Sequence, residues 1–379
     1  MWYITRERKL LQSIVREFVE TEIVPFIPEL EKGIYPLGII KRLGGIGVLG
    51  LCHDTKYGGH GVDYINWYIA LEEISKASSA VALLAAQTSE LCAHFCEDVC
   101  TPEQVEKYIK PAVRGEIILG QFATEHSGMI TVADFNTTAV RDGDDWVING
   151  SKIFSTNAGV CDYAMVLCRT SQAPDPATMR GASMFMVHKS NPGYVVGHIE
   201  NKLGWHGTST GQTYFNDCRV PSDALIGEVD GYLPELMKRF TPGLGLYAAL
   251  SLGCAEAVYR KTRTFLDNRV QAGVSLWDRH QVVRNQMSQM WMQIETLRCA
   301  LYGYAEMQNK GMDVTGLGIA LKVEGTKVAK SVCDTCLTLH GGIGTVNETG
   351  IERYYRDVKM FDFACGSNFS LVDALAVSL

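Results

Sequence analysis

Asp145-Trp146-Val147-Ile148-Asn149 sets three consecutive aromatic or β-branched residues between polar ends, the composition of a short strand. Its neighbours read the same way: Glu116–Ala123, Thr138-Ala139-Val140, Tyr163–Cys168 and Ala182–Val187 are short, rich in β-branched, aromatic or other apolar residues, and separated by Asp, Asn and Gly clusters. No helical pattern of ~10–15 residues intervenes, so the middle of the chain is a β domain of sandwich or barrel type rather than a set of βαβ units.

Outward from this block the periodicity changes. Before it, Leu10/Leu11, Ile14/Val15 and Phe18/Val19 repeat at helical spacing until Pro25. The run Leu43-Gly-Gly-Ile-Gly-Val-Leu-Gly-Leu51 is a helix end passing into a loop, and Tyr57-Gly-Gly-His-Gly61 is a loop. Asp63 to about Ala86 is helical again, with Glu72 and Glu73 expected on the wet side. After the β block, Tyr247–Val270, Gln281–Met307 and Ile319–Leu339 are three long apolar-faced stretches, which imply an antiparallel bundle. The expected class is therefore multi-domain α+β: an N-terminal helical domain (1–115), a central β domain (116–228) and a C-terminal helical bundle (229–379).

Lys plus Arg number 35 against 42 Asp plus Glu, a net charge of −7 with no basic stripe, which argues against nucleic acid or a polybasic membrane contact. No apolar run is long enough for a membrane span. The start, MWYITRERKLLQ, mixes acid and base and runs straight into a helical pattern, so it reads as neither a signal nor a transit peptide. The 12 cysteines then read as reduced thiols in a cytoplasmic protein. Cys92, Cys96 and Cys100 recur every four residues on one helix face and read as packing, as does the Cys333/Cys336 pair.

Several ordered segments resemble the acyl-CoA dehydrogenase family across essentially the whole chain. They are Leu43–Leu51 with Lys56–Gly61, Asn149-Gly-Ser-Lys-Ile-Phe-Ser-Thr-Asn157, Lys202-Leu-Gly-Trp-His-Gly-Thr-Ser-Thr210 with Phe215–Pro221, His340-Gly-Gly-Ile-Gly344, and Glu352-Arg-Tyr-Tyr-Arg-Asp357. The resemblance implies a helical domain, a β-barrel-like domain and a four-helix bundle. It also implies non-covalent FAD, an acyl-CoA thioester as substrate, an electron-transfer flavoprotein as partner, and a homotetramer built as a dimer of dimers.

Residue by residue, the resemblance puts Thr124 at the polar edge of the flavin, Phe154 at the aromatic packed against it and Thr156 near its N5. It puts Arg269 on the pyrophosphate of a neighbouring subunit's FAD, a contact that suits a guanidinium's paired donors. Gln281 falls toward the adenosine half, Gly341 and Gly342 on the dinucleotide, and Ser367 where a Thr normally touches FAD. Ala272 and Thr338 replace the family's usual Phe and Gln.

The pattern breaks where the chemistry should be. The loop Thr124-Glu-His-Ser-Gly-Met-Ile-Thr131 departs from the family form at His126, Met129, Ile130 and Thr131. Cys365 stands at the usual catalytic Glu, and the alternative position for that base falls near Gly243, so both customary bases are missing. Cys365 keeps its backbone N–H, which in the family helps bind the thioester oxygen. Glu90, in Gln87-Thr-Ser-Glu-Leu91, replaces an apolar residue along the acyl pocket. An acid there is turned to solvent by a one-residue register shift, is the relocated proton-transfer group, or belongs to a structural ion pair. Three functions stay open: an active flavoenzyme on an acyl-CoA or enoyl-CoA thioester, in either direction and including cyclic or aromatic acyl groups; a non-catalytic FAD-binding subunit of a heteromeric complex; and a relative of flavin-dependent monooxygenases.

Overall fold

The computed structural model describes residues 2–128, 135–171 and 178–378. Helices Arg6–Phe18, Leu37–Gly45, Tyr64–Ala77 and Ser79–Thr88 dominate the first part. Three of their starts are capped by local side chains: Thr5 accepts from Arg8 N, Asp63 from Ile65 N and Asn66 N, and Ser78 from Val81 N. The helix from Ser79 then widens into a π-turn over Ser89–His94, which carries Glu90.

The middle part is one eight-stranded sheet of β1 (Leu119–Phe122), β2 (Thr138–Asp142), β3 (Asp145–Thr156), β4 (Tyr163–Arg169), β5 (Ala182–His188), β6 (Tyr194–Ile199), β7 (Thr210–Pro221) and β8 (Leu225–Ile226). The order is β6-β7-β3-β2-β4-β5-β8, with β1 parallel to β4. The first strand is shorter than the run from Glu116 suggests. Glu116 is drawn into an exposed ion pair with Arg114, and Ile118 N donates to the Asp162 carboxylate at 2.9 Å instead of joining the ladder. The two long strands β3 and β7 pair antiparallel with two register shifts, at Ile148/Gly150 and Lys152/Ser155.

The last part is built on the long helices Gly245–Asn268, Gln281–Asn309 and Thr315–His340, preceded by Tyr232–Gly243 and followed by Ile351–Met360 and Asn368–Ser378. The helical–β–helical architecture expected from the sequence is present.

Glu72 and Glu73 are not on a wet face: each is 2% exposed. The Tyr64–Ala77 helix is covered on several sides, and its acids are matched by buried partners. Arg298 donates to both Glu72 and Glu256, Tyr302 OH donates to Glu72 at 2.6 Å, and Gln12 and Lys76 each reach Glu73 at 2.7 Å. A second knot joins all three parts of the chain. Asp357 accepts from the backbone N–H of Trp205 at 2.7 Å and from Ser79 Oγ at 3.0 Å, and the Trp205 indole N–H reaches Ser79 Oγ at 3.2 Å. The Glu352–Asp357 motif thereby holds the Lys202–Thr210 loop against the N-terminal helices.

Candidate active site

Where the three parts meet lies a cavity of about 480 Å³. Its walls carry Thr124, Phe154 and Thr156 from the β domain, Leu83, Gln87 and Leu91 from the N-terminal helices, and Phe240, Tyr247 and Cys365 from the C-terminal ones. The lining is mostly apolar with a few convergent polar groups, as a small-molecule site requires. Three lining residues hold left-handed backbone without being glycine: Phe154 at φ 51°, Trp205 at φ 55° and Cys365 at φ 48°. Such conformations cost on the order of 1–3 kcal/mol each and gather at functional sites.

The β-domain wall is anchored from behind. Lys152, on β3 and fully buried, donates to Glu125 at 2.7 Å and to the Ala123 carbonyl at 3.1 Å. Glu125 also accepts from the backbone N–H groups of Asn136 and Thr137. Burial works to raise the Glu125 carboxyl, but Lys152 and these N–H donors hold it below the usual range. The pair fixes the Thr124-Glu125 end of β1 beside Phe154 and Thr156, so Glu125 is spent on structure. The departures at Met129, Ile130 and Thr131 lie outside the described residues.

A flavin fits this wall. Gln121 Nε2 is buried there without a hydrogen-bond partner, and Phe154 is 62% exposed into the space, an aromatic face with nothing stacked on it. Arg269, Gln281, Gly341 and Gly342 are not part of the cavity. They are exposed, at the C-terminal end of Gly245–Asn268, the N-terminal end of Gln281–Asn309 and the C-terminal end of Thr315–His340. The Phe265 and His340 rings stack at 4.4 Å and bring two of those helix ends together. Ser367 follows Gly366, which lines the cavity, and its hydroxyl bonds Ser370. Of the ten sequence-selected residues, Thr124, Phe154, Thr156 and Cys365 line the cavity, Ser367 adjoins it, Arg269, Gln281, Gly341 and Gly342 lie on the surface, and Glu90 is buried outside the cavity lining.

At the catalytic end, Tyr247 OH donates to Cys365 Sγ at 3.1 Å, and burial pushes both groups above their ordinary pKa. Lys322 Nζ bonds the Gly366 carbonyl at 2.7 Å and Asn368 Oδ1 at 2.8 Å, and burial brings it down to about 8. Tyr247 and Lys322 were not singled out in the sequence, because each sits in a long helix with no local motif around it.

Glu90 is 0% exposed, so the reading that turns it to solvent is overturned. The π-turn at Ser89–His94 carries an extra residue per turn, and that shift of register leaves Glu90 inside. Trp67 Nε1 donates to Glu90 Oε2 at 2.6 Å, while Oε1 is buried without a partner. Burial raises the carboxyl to about 8. Glu90 does not itself line the cavity. It lies beside Gly243, where an added Cβ would be 3.5 Å from Oε1, and its charge helps push up the Tyr247 phenol and the Cys365 thiol, which do line it.

Known proteins match this geometry along the whole chain. The family models for the acyl-CoA dehydrogenase N-terminal, middle and C-terminal domains match residues 5–116, 120–218 and 233–379. A short-chain specific acyl-CoA dehydrogenase of Clostridium acetobutylicum is 33% identical over 376 residues, covering 99% of this chain and 98% of that one. The caffeyl-CoA reductase–Etf complex subunit CarC of Acetobacterium woodii is 27% identical over 368 residues, covering 97% and 96%. The structure of butyryl-CoA dehydrogenase from Megasphaera elsdenii superposes with a TM-score of 0.93 at 29% identity, covering 99% of this chain and 98% of that chain. Fold, cavity and full-length similarity agree, and the chain belongs to the acyl-CoA dehydrogenase family, FAD-dependent oxidoreductases of acyl-CoA thioesters.

Proposed function

We propose that this chain binds FAD and oxidises an acyl-CoA thioester, or reduces the corresponding enoyl-CoA, with Glu90 as the proton-transfer group. The observation that carries this reading is the buried, half-unpartnered carboxylate of Glu90 beside Gly243. That glycine is the position where some family members keep their base, and a Cβ added there would meet the Phe95 ring at 3.0 Å and Glu90 Oε1 at 3.5 Å, so the acid lies against the place that base would start from.

Thr124, Phe154 and Thr156 hold the flavin ring against the β domain, with Gln121 supplying a donor from the same wall. When bound, the flavin supplies the acceptor and donor of the hydride. Ser367, beside cavity-lining Gly366, touches the FAD where the family has a Thr, while Arg269, Gln281, Gly341 and Gly342 serve the dinucleotide of a neighbouring subunit, which makes a homotetramer, as a dimer of dimers, the working assembly. Their exposure and their distance from the cavity of their own chain support this.

The backbone N–H of Cys365 binds the thioester oxygen, so enolate charge is stabilised without the side chain. Phe240, Leu91 and Tyr247 exclude water from the acyl end, and Trp67 orients Glu90 by its indole N–H. Because Glu90 approaches from the N-terminal helices, it serves a carbon farther from the thioester, suiting a 1,4-elimination or its reverse in a cyclic or aromatic acyl group. Burial raises the Glu90 carboxyl to about 8, so near neutral pH it holds a proton to give in the reductive direction. The electron partner is an electron-transfer flavoprotein, in line with the Etf complex named for the Acetobacterium relative. The twelve cysteines are free in the structure, which suits a reducing cytoplasm; no described helix is long and apolar enough to cross a membrane.

The test is an anaerobic titration of the flavin absorbance with a panel of acyl-CoA and enoyl-CoA thioesters, including cyclohexanecarboxyl-CoA and cyclohex-1-enecarboxyl-CoA. Bleaching by the first or recovery by the second supports the reading, and no response to any thioester with FAD bound rejects it.

A further inference from the structure

Lys322 is a buried lysine for which the reaction as described has no task. It stands on the Thr315–His340 helix and is 0% exposed. Its Nζ donates to the Gly366 carbonyl at 2.7 Å and to Asn368 Oδ1 at 2.8 Å, and lies 5.9 Å from the centre of the Tyr247 ring. All three partners are uncharged. Among the described residues no carboxylate stands at ion-pair distance from it. The acid that acts on it from farther away, Asp362, is already held by Lys330 at 2.8 Å and Lys359 at 2.7 Å. A buried cation with no anion beside it is costly, and tying down a carbonyl needs only a neutral donor.

The carbonyl that Lys322 holds belongs to the turn that lines the cavity. Cys365 and Gly366 both line it, and both are left-handed, at φ 48° and φ 92°. The backbone is bonded on either side of them: Ala364 N donates to Met360 O at 3.3 Å and Asn368 N to Asp362 O at 3.0 Å. Between these two bonds, the N–H groups of Cys365, Gly366 and Ser367 donate to no group among the described residues. Successive unpaired N–H groups on a tight turn form a concavity suited to an anion. The left-handed Cys365 is strained, and the bond from Lys322 to the next carbonyl holds that strain in place. The ammonium and the Cys365 side chain also act on each other: the cation works to lower the thiol, against the larger effect of burial. With its own pKa brought down to about 8, Lys322 is still charged at neutral pH.

We propose that Lys322 is a positioning residue that sets a positive charge behind the Cys365–Gly366 turn, so that the site takes a thioester enolate in preference to the neutral thioester. This rests on the Cys365 N–H as the group that binds the thioester oxygen, and is independent of Glu90. A neutral carbonyl gains little from a charge behind the turn. An oxygen that becomes negative gains much more, because the cation is fixed in a dry wall and needs no reorganisation. Lys322 does not line the cavity and exchanges no proton or electron with the substrate; its part is electrostatic.

The test uses oxidised, FAD-loaded enzyme and acetoacetyl-CoA, a β-ketothioester that ionises to its enolate without a base from the protein. Difference absorbance of the complex against pH reads the apparent pKa of the bound ligand, and crotonyl-CoA measures binding of a neutral thioester. Wild type should hold acetoacetyl-CoA with an apparent pKa at least about one unit below that of the free thioester, a tenfold preference for the enolate. Lys322→Gln, which removes the charge, should lose at least about tenfold of enolate affinity while binding crotonyl-CoA within about threefold of wild type. An unchanged enolate pKa in Lys322→Gln overturns the proposal. Equal losses for both ligands also overturn it, since they leave Lys322 only a structural tie. If Lys322→Gln does not hold FAD, Asn368→Asp decides by the same readout: the new carboxylate neutralises Lys322 while keeping its bond, and Lys330 and Lys359 offset it against Asp362. A wild type that binds acetoacetyl-CoA at its free pKa, or not at all, rejects the Cys365 reading itself and the role of Lys322 with it.

Discussion

Glu90 Oε1 lies 3.5 Å from the point at which a Cβ on Gly243 would begin. The two residues are 153 positions apart, on the π-turn Ser89–His94 and at the end of the Tyr232–Gly243 helix. The Phe95 ring, 3.0 Å from the same point, and the acid together close around the glycine. A carboxylate that could have stood on the C-terminal helices instead comes from the N-terminal ones, and the Trp67 indole holds its other oxygen.

Rates should follow the protonation of Glu90. With its carboxyl raised to about 8, flavin reduction by an acyl-CoA needs the carboxylate and should rise with pH through that value. Reoxidation of reduced enzyme by an enoyl-CoA needs the acid and should fall over the same range. Stopped-flow rates between pH 6 and about pH 9 in both directions check this; parallel profiles would contradict it.

Stability should carry the same signature with the opposite emphasis. The native carboxyl is raised from 4.5 to about 8, so between those values the folded state holds a proton that the unfolded state has released. This contribution is fully present below the unfolded pKa and is lost as pH rises toward the folded one. At one pKa unit per 1.36 kcal/mol the loss is on the order of 4 kcal/mol. Glu90→Gln removes it, so the variant should gain stability relative to wild type as pH rises from 5 to about 8, measured by urea unfolding.

Cys365→Ala should leave activity within about tenfold of wild type, since the backbone N–H remains and the buried thiol is a poor base. The Tyr247 hydroxyl then loses its partner, at a cost of about 1–3 kcal/mol in stability. A rate loss beyond about a thousandfold would show that the thiol itself moves protons.

The architecture was legible because it rests on period. The aromatic and β-branched run at Asp145–Asn149 and the long helical-period stretches from Tyr247, Gln281 and Ile319 each name an element by themselves. Burial of acids was not legible. Glu72 and Glu73 look like a solvent face until Arg298, Lys76 and Tyr302, from the same and distant helices, arrive to pair them. The cavity group Thr124, Phe154 and Thr156 could be selected because the residues around them carry the family pattern. Lys322 could not, since its meaning lies in a meeting between a long helix and a turn 44 residues farther along the chain.

Arg269→Ala should lower the ratio of FAD to protein after gel filtration while leaving the secondary structure unchanged. Arg269 is exposed in its own chain and ends the Gly245–Asn268 helix, so its removal opens no cavity there. FAD retention at the wild-type ratio would contradict a role for Arg269 across the subunit contact.

The most direct measurement of the relocated carboxylate is anaerobic stopped-flow of FAD-loaded Glu90→Gln with the thioester that reacts fastest with wild type. Glutamine keeps the size and can still accept the Trp67 hydrogen bond, so binding of FAD should persist while the chemical step slows by about 10²–10⁴-fold. Flavin reduction or reoxidation at near-wild-type rate, with FAD bound, would contradict the role assigned to Glu90.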